Sequence, residues 1–401
     1  MPVLGRTRRF GRATLLAALG AVVALVAIAA VMLGPRLIGD EAERDHVAEF
    51  YTQPEGAADG APGTLVRSER LDGALLGTTA WRIMYRTRDV DGRPVVATGI
   101  VATPDGTAPH DGRTVLAWAH PTTGVADACT PSRMFDPYLD VEGIRVMLDR
   151  GYTVVATDYV GMGTEGPDSY LVGVTAGNSV LDSVRAARAL DGAHAGSKTV
   201  LWGHSQGGQA VLFAAERAKT YAPELTVLAA AVAAPAADLT ALLGSHLDDL
   251  SGTTIGSYAF SAYSQVYAGR GARLDTVLTP AAIGILPQMN ALCLLTQNKE
   301  LHRIAAPVVG TFFAHNPESV EPWATLLREN SAGGRTFTAP LFVAQGAKDK
   351  LVLPADTERF VAHEKQQGMN VTYHSAADGD HGTVAYLSLP ALTAWLNSVG
   401  A

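Results

Sequence analysis

Residues 203–207 read Gly-His-Ser-Gln-Gly, a serine bracketed by glycines two positions to either side. A serine hydroxyl is a poor nucleophile at neutral pH. It needs a neighbouring base, and the base needs an acid to orient it. Both stand downstream in the chain. Asp349 follows the apolar run 341–344, and His381 follows 371–374 within Asp378-Gly379-Asp380-His381-Gly382. Composition alone yields about 0.2 strings of the form Gly-x-Ser-x-Gly in a chain this long, so the setting has to decide. Here the apolar run Thr199 to Trp202 precedes the motif and an alanine-rich helical pattern, 209–219, follows it. A strand that turns sharply into a helix lifts a serine clear of the backbone, and side chains at 203 and 207 would obstruct that bend. The chemistry such a group performs is acyl transfer. The Ser205 oxygen attacks a carbonyl, His381 takes its proton, and Asp349 holds the imidazole.

Other candidates fit less well. Asp158 precedes Ser205 and reads as structural, Asp356 falls inside the helix expected after Pro354, and His374 falls within a strand. The imidazole of His204, adjacent to the serine, cannot easily fold back onto it. Lys348 and Lys350 flank Asp349 and, where they lie close, favour its ionised form. The oxyanion formed on attack needs two N–H donors. Gln206 N–H, just after the nucleophile, is one. The other is expected from His120-Pro121-Thr122-Thr123-Gly124, where proline has no N–H to give, leaving Thr122 first and Thr123 in reserve.

These residues need a scaffold, and the apolar runs 114–119, 152–157, 199–202, 225–233, 341–344 and 371–374 supply it. Runs apolar on both faces are what parallel strands covered by helices look like. Helical periodicity over 179–190, with Asn178 as cap, and over 209–219 and 355–366 places helices between them. Alternating strand and helix predicts an α/β fold with a mostly parallel sheet. Segments 80–85 and 94–102, joined across Asp91-Gly92, predict a hairpin. From Ser205 to Asp349 runs 144 positions, where two strand–helix–strand units need about 60 to 70. The surplus predicts an inserted, largely helical cap. The expected organisation is an N-terminal segment (1–39), a linker (40–72), a core (73–236 and 337–401) and a cap (237–336).

The chain has 401 residues, a 47% apolar fraction and a formal net charge of −8. That balance argues against a nucleic-acid partner. Residues 1–12 carry Arg6, Arg8, Arg9 and Arg12 and no acid, and Ala13 to Leu33 carries no charge. As a helix this stretch would span about 31 Å, enough for a bilayer core. Positive flank before and acidic flank after put the body outside the cytoplasm. An uncleaved membrane anchor and a signal peptide cut after Ala27-Ile28-Ala29 are both open readings. The protein is thus expected to be secreted or held at the membrane through Ala13 to Leu33, and to be a monomer. Cys129 and Cys293 are the only cysteines, either one disulfide, which export permits, or two buried thiols. No metal-ligand spacing occurs, and neither metal nor cofactor is called for.

Taken together, 118–132 (WAHPTTGVADACTPS), 154–166 (VVATDYVGMGTEG), 178–190 (NSVLDSVRAARAL), 203–210 (GHSQGGQA), 345–357 (QGAKDKLVLPADT) and 378–385 (DGDHGTVA) resemble the secretory lipases of the α/β-hydrolase class. The resemblance spans about residues 75 to 400. It implies an α/β-hydrolase fold, a serine-dependent carboxylic-ester hydrolase with Ser205, Asp349 and His381 as triad, a helical cap over the acyl site, and a Cys129–Cys293 bridge. The chain departs from the family pattern at His120-Pro121, where His-Gly is expected. The expected substrate is a small-molecule or lipid ester. The same acyl-enzyme would also serve an envelope acyltransferase, and the same turn a serine peptidase.

Overall fold

A computed structural model describes residues 47–401; the segment 1–39, with Ala13 to Leu33, lies outside the described residues. The strands are β1 (Leu65–Arg70), β2 (Thr78–Arg88), β3 (Pro94–Pro104), β4 (Arg113–Ala119), β5 (Thr153–Val160), β6 (Ala195–His204), β7 (Thr226–Ala233), β8 (Leu341–Gly346) and β9 (Val371–Ala376). They form one sheet in the order β1-β2-β3-β5-β4-β6-β7-β8-β9. The pairs from β1 through β3 to β5 are antiparallel. From β5 through β4, β6, β7 and β8 to β9 all are parallel.

The helices are α1 (Ile144–Asp149), α2 (Gly173–Ala189), α3 (Gln206–Tyr221), α4 (Leu239–Gly244), α5 (Leu250–Val266), α6 (Pro280–Asn290), α7 (Asn298–Ala305), α8 (Trp323–Glu329), α9 (Pro354–Gln366) and α10 (Val384–Val399). Successive side chains of a strand point to opposite faces, so each central strand feeds two cores. Val115, Ala117 and Leu201 join Val184 of α2 and Val211 of α3 on one face. Leu116, Trp118, Val200 and Trp202 join Met147 of α1 and Leu392 of α10 on the other. Each large side chain so buried contributes roughly 1.5–3 kcal/mol. That double burial is why these runs read as continuously apolar.

Two expectations need correction. The stretch 40–72, read as a linker, contributes β1, which runs antiparallel to β2 from Leu65 opposite Tyr85 to Arg70 opposite Trp81. Its sequence, LVRSER, is polar because it lies at the sheet edge, where backbone pairing rather than burial holds it. Helix α2 begins at Gly173, so Asn178 is inside it and caps nothing. A Cβ on Gly173 would come 2.3 Å from the Phe213 ring, and one on Gly177 2.8 Å from the Ala214 nitrogen. The glycines that hide this helical turn from sequence reading let α2 lie close against α3.

Between β7 and β8, helices α4 to α8 build an apolar cluster of their own, with Phe260, Tyr263, Leu286, Phe312 and Trp323 among its members. Tyr170, Leu171 and Val172, which precede α2, complete it. These helices start on side-chain caps. Asp238 accepts from Ala241 N at 3.0 Å, Asp249 from Gly252 N at 2.9 Å, and Thr279 from Ala282 N at 3.3 Å. Such a cap typically contributes about 1 kcal/mol. A Cys129–Cys293 disulfide joins the loop after β4 to this insertion. Among the described residues, no helix is long and apolar enough to cross a membrane.

Candidate active site

Ser205 sits between β6 and α3 with φ 57° and ψ −117°, a conformation that costs roughly 1–3 kcal/mol and must be imposed by its surroundings. The backbone imposes it. Ser205 N donates to Ala233 O at 2.9 Å, and Ser205 O accepts from Ala236 N at 3.0 Å. A Cβ on Gly203 would come 2.3 Å from Gly207 O, and one on Gly207 1.8 Å from Ala119 O. Both glycines are therefore required, and the end of β4 is pressed against the first turn of α3. Ser205 occupies the N-cap position of α3 but its side chain caps nothing there. Its hydroxyl meets His381 Nε2 at 3.0 Å instead.

His381 stands in the loop between β9 and α10. Its Nδ1 lies 2.8 Å from Asp349 Oδ2. A carboxylate can only accept, so Nδ1 carries the proton and Nε2 is free to accept from Ser205. Asp349, in the loop after β8, is 4% exposed. Its other oxygen accepts from Leu351 N at 2.8 Å and Val352 N at 3.0 Å, and Gln345 Nε2 donates to Oδ2 at 3.2 Å. The lysine expectation does not hold: Lys348 pairs on the surface with Asp378 at 2.7 Å. Among the described residues neither Lys348 nor Lys350 bonds Asp349. Neutral donors surround that carboxylate.

Thr122 is buried, and its hydroxyl meets Tyr170 OH at 2.7 Å. Thr123 is buried as well, and its carbonyl accepts from Leu294 N at 2.9 Å. Among the described residues, neither Gln206 N–H nor Thr122 N–H donates to a protein acceptor. The His120 ring lies 4.5 Å from that of Tyr159, and burial pushes its imidazole down to about 4, which keeps it neutral. Asp158 is structural: it accepts from Thr98 Oγ1 at 2.7 Å and Ser132 N at 2.9 Å.

Several supporting residues carried no sequence signal. The His204 ring packs 5.0 Å from that of His381, and its Nδ1 pairs with buried Glu142 at 3.1 Å. Glu142 lies 62 positions away, and nothing in its local sequence marks it. Gln345 carries one sequence signal, a polar side chain near the end of an apolar strand. An apolar pocket lies under α4 and α5, lined by Leu171, Leu239, Leu243, Ile255, Phe260 and Leu351 among others. None of Ser205, Asp349 and His381 lines it; its link to the site is Leu351, whose N–H donates to Asp349.

A mostly parallel sheet with a strained serine at the C-terminal end of a central strand, and with acid and histidine at later strand ends, defines an α/β-hydrolase. Within that class the chain belongs to the secretory lipase family, whose model matches residues 135–399. It is similar to a probable inactive lipase of Mycobacterium tuberculosis, 26% identical over 370 residues, covering 86% of this chain and 80% of the relative. It is also similar to the trichothecene C-3 esterase of Fusarium sporotrichioides, 25% identical over 378 residues, covering 87% and 82%. Among solved structures, Candida antarctica lipase A in its closed state superposes with a TM-score of 0.72 at 18% identity, covering 87% of this chain and 85% of that one. That likeness concerns the fold.

Proposed function

We propose that this protein is an exported hydrolase of carboxylic esters with hydrophobic acyl groups. The observation that carries the reading is the continuous hydrogen-bond chain from Ser205 Oγ through His381 to buried Asp349, at 3.0 and 2.8 Å. His381 takes the hydroxyl proton as Ser205 attacks the ester carbonyl. The oxyanion is held by Gln206 N–H and Thr122 N–H, each such donor contributing typically 10²- to 10³-fold in rate. The proton on His381 passes to the leaving alcohol. Water, deprotonated by the same imidazole, then splits the acyl-serine to acid and free enzyme. The apolar pocket beneath α4 and α5 takes the acyl chain. Export is supported by the apolar N-terminal segment and by the disulfide.

One relative bears the word inactive in its name. Against a like reading here stands the intact Ser205–His381–Asp349 chain. Turnover of p-nitrophenyl butyrate tests the proposal. Ser205→Ala and His381→Ala should each lower kcat by more than about 10⁴-fold, and Asp349→Asn by about 10⁴-fold. Near-wild-type turnover in the serine variant removes the proposal.

A further inference from the structure

His246 lies between α4 and α5 and is 6% exposed. Both of its ring nitrogens face oxygens. Nδ1 lies 2.6 Å from Asp249 Oδ2, and Nε2 lies 2.8 Å from Leu351 O. The first contact is within the cap segment; the second crosses to the loop that carries Asp349. Gly252 keeps the ring's backbone in place, since a Cβ there would come 1.8 Å from His246 O. Asp249 is doubly engaged, accepting also from Gly252 N at 2.9 Å.

The Leu351 carbonyl and the Val352 N–H belong to one peptide group. Asp249 Oδ2 and Leu351 O can both only accept, so the ring holds the two contacts by donating from both nitrogens; on one side the peptide group accepts from His246 Nε2–H, and on the other it donates to Asp349 Oδ1 at 3.0 Å. Donation into a carbonyl polarises the amide and strengthens its own N–H as a donor. An unbroken relay thus runs from His246 through the 351–352 peptide to Asp349, His381 and Ser205. The His246 ring also lines the apolar pocket, so a group filling that pocket touches the residue at the head of the relay.

We propose that His246 is a positioning residue. By clamping the 351–352 peptide it aligns the Asp349 carboxylate, and it makes the alignment of the triad depend on the seating of the cap. This rests on the assignment of Ser205, His381 and Asp349 given above. A purely structural role would lower stability and leave the chemical step untouched, whereas positioning lowers kcat with little change in KM.

The experiment uses the full-length protein with p-nitrophenyl acetate, whose acyl group is too short to fill the pocket. Expected are a loss of about ten- to a hundredfold in kcat for His246→Ala, KM within twofold, and recovery of most of the loss in His246→Gln, whose amide still offers an N–H to Leu351 O. The far-downfield proton shared by His381 and Asp349, followed by ¹H NMR, should shift or broaden in His246→Ala and return in His246→Gln. If the alanine variant does not fold, His246→Leu, which fills the space but offers Leu351 O no N–H, takes its place with the same expected losses. Unchanged kcat and an unchanged proton resonance, alongside an inactive Ser205→Ala control, would overturn the positioning role while sparing the triad. Activity surviving in the Ser205→Ala control would overturn the triad itself.

Discussion

Around Gly203 and Gly207 the backbone is packed so closely that a single methyl group would come within 2.3 Å of a carbonyl oxygen. The cap meets the core differently, through discrete ties. Among them are the Cys129–Cys293 disulfide, Leu294 N to Thr123 O at 2.9 Å, Gln209 Nε2 to Asn330 O at 2.6 Å, and His246 to Leu351 O at 2.8 Å. Continuous backbone packing fixes the turn that presents Ser205, and acyl transfer depends on such placement of the reacting group. A cap fastened at points can vary in sequence, and with it the pocket, without disturbing the turn that presents the serine. On the proposed reading, chemistry falls to the closely packed region and substrate choice to the pinned one.

Cutting the longest tie should have the largest effect. Replacing both cysteines by serine removes a cross-link between residues 164 positions apart, for which the chain-entropy model gives about 5 kcal/mol as an upper figure. Urea unfolding of the double variant should show that loss, with a separate early transition for the cap. A single transition shifted by under about 1 kcal/mol would mean the remaining ties suffice. A smaller effect is expected in the pocket. Ala259→Phe should lower kcat/KM for p-nitrophenyl decanoate about tenfold while leaving the acetate ester unchanged. Equal losses on both esters would place the acyl chain elsewhere.

The smallest effect concerns Glu216 on α3, whose Oε1 accepts from Gly333 N at 2.7 Å. Burial raises its carboxyl from 4.5 to about 7, and the negative charge of Glu364 adds to the rise. The folded chain therefore holds this proton more tightly than the unfolded chain. Stability from this site is fully present below about pH 4.5 and is lost as pH rises through about 7. In Glu216→Gln that loss should vanish, so thermal melts should show the variant gaining on wild type between pH 5 and pH 8. A constant offset at both pH values would remove Glu216 as the source.

The core was largely legible because its signals are local. Strands β4 to β9 appear as apolar runs, the β2–β3 hairpin turns at Asp91-Gly92, and the serine turn needs glycine at two named positions. The expected order of nucleophile, acid and base put Ser205, Asp349 and His381 at strand ends, where the structure brings them within bonding distance. Edge strand β1 was missed because an exposed strand needs no apolar alternation. The first turn of α2 was missed because glycines chosen for close helix packing look like breakers. The flanking lysines misled because adjacency in the chain says nothing of direction: Lys348 turns to Asp378 and leaves Asp349 to Gln345 and two backbone amides.

Periodicity, turn chemistry and the rarity of a serine between two glycines settle matters over a few residues, and for this chain they were enough to reach the fold class and to name the residues of the candidate site. The partners of Asp349, the pairing of His204 with Glu142, the pocket under α4 and α5, and the reach of His246 to Leu351 all join segments distant in the chain. No short-range rule encodes them, since each depends on how whole elements pack, and only the folded arrangement brings the two ends of each contact together.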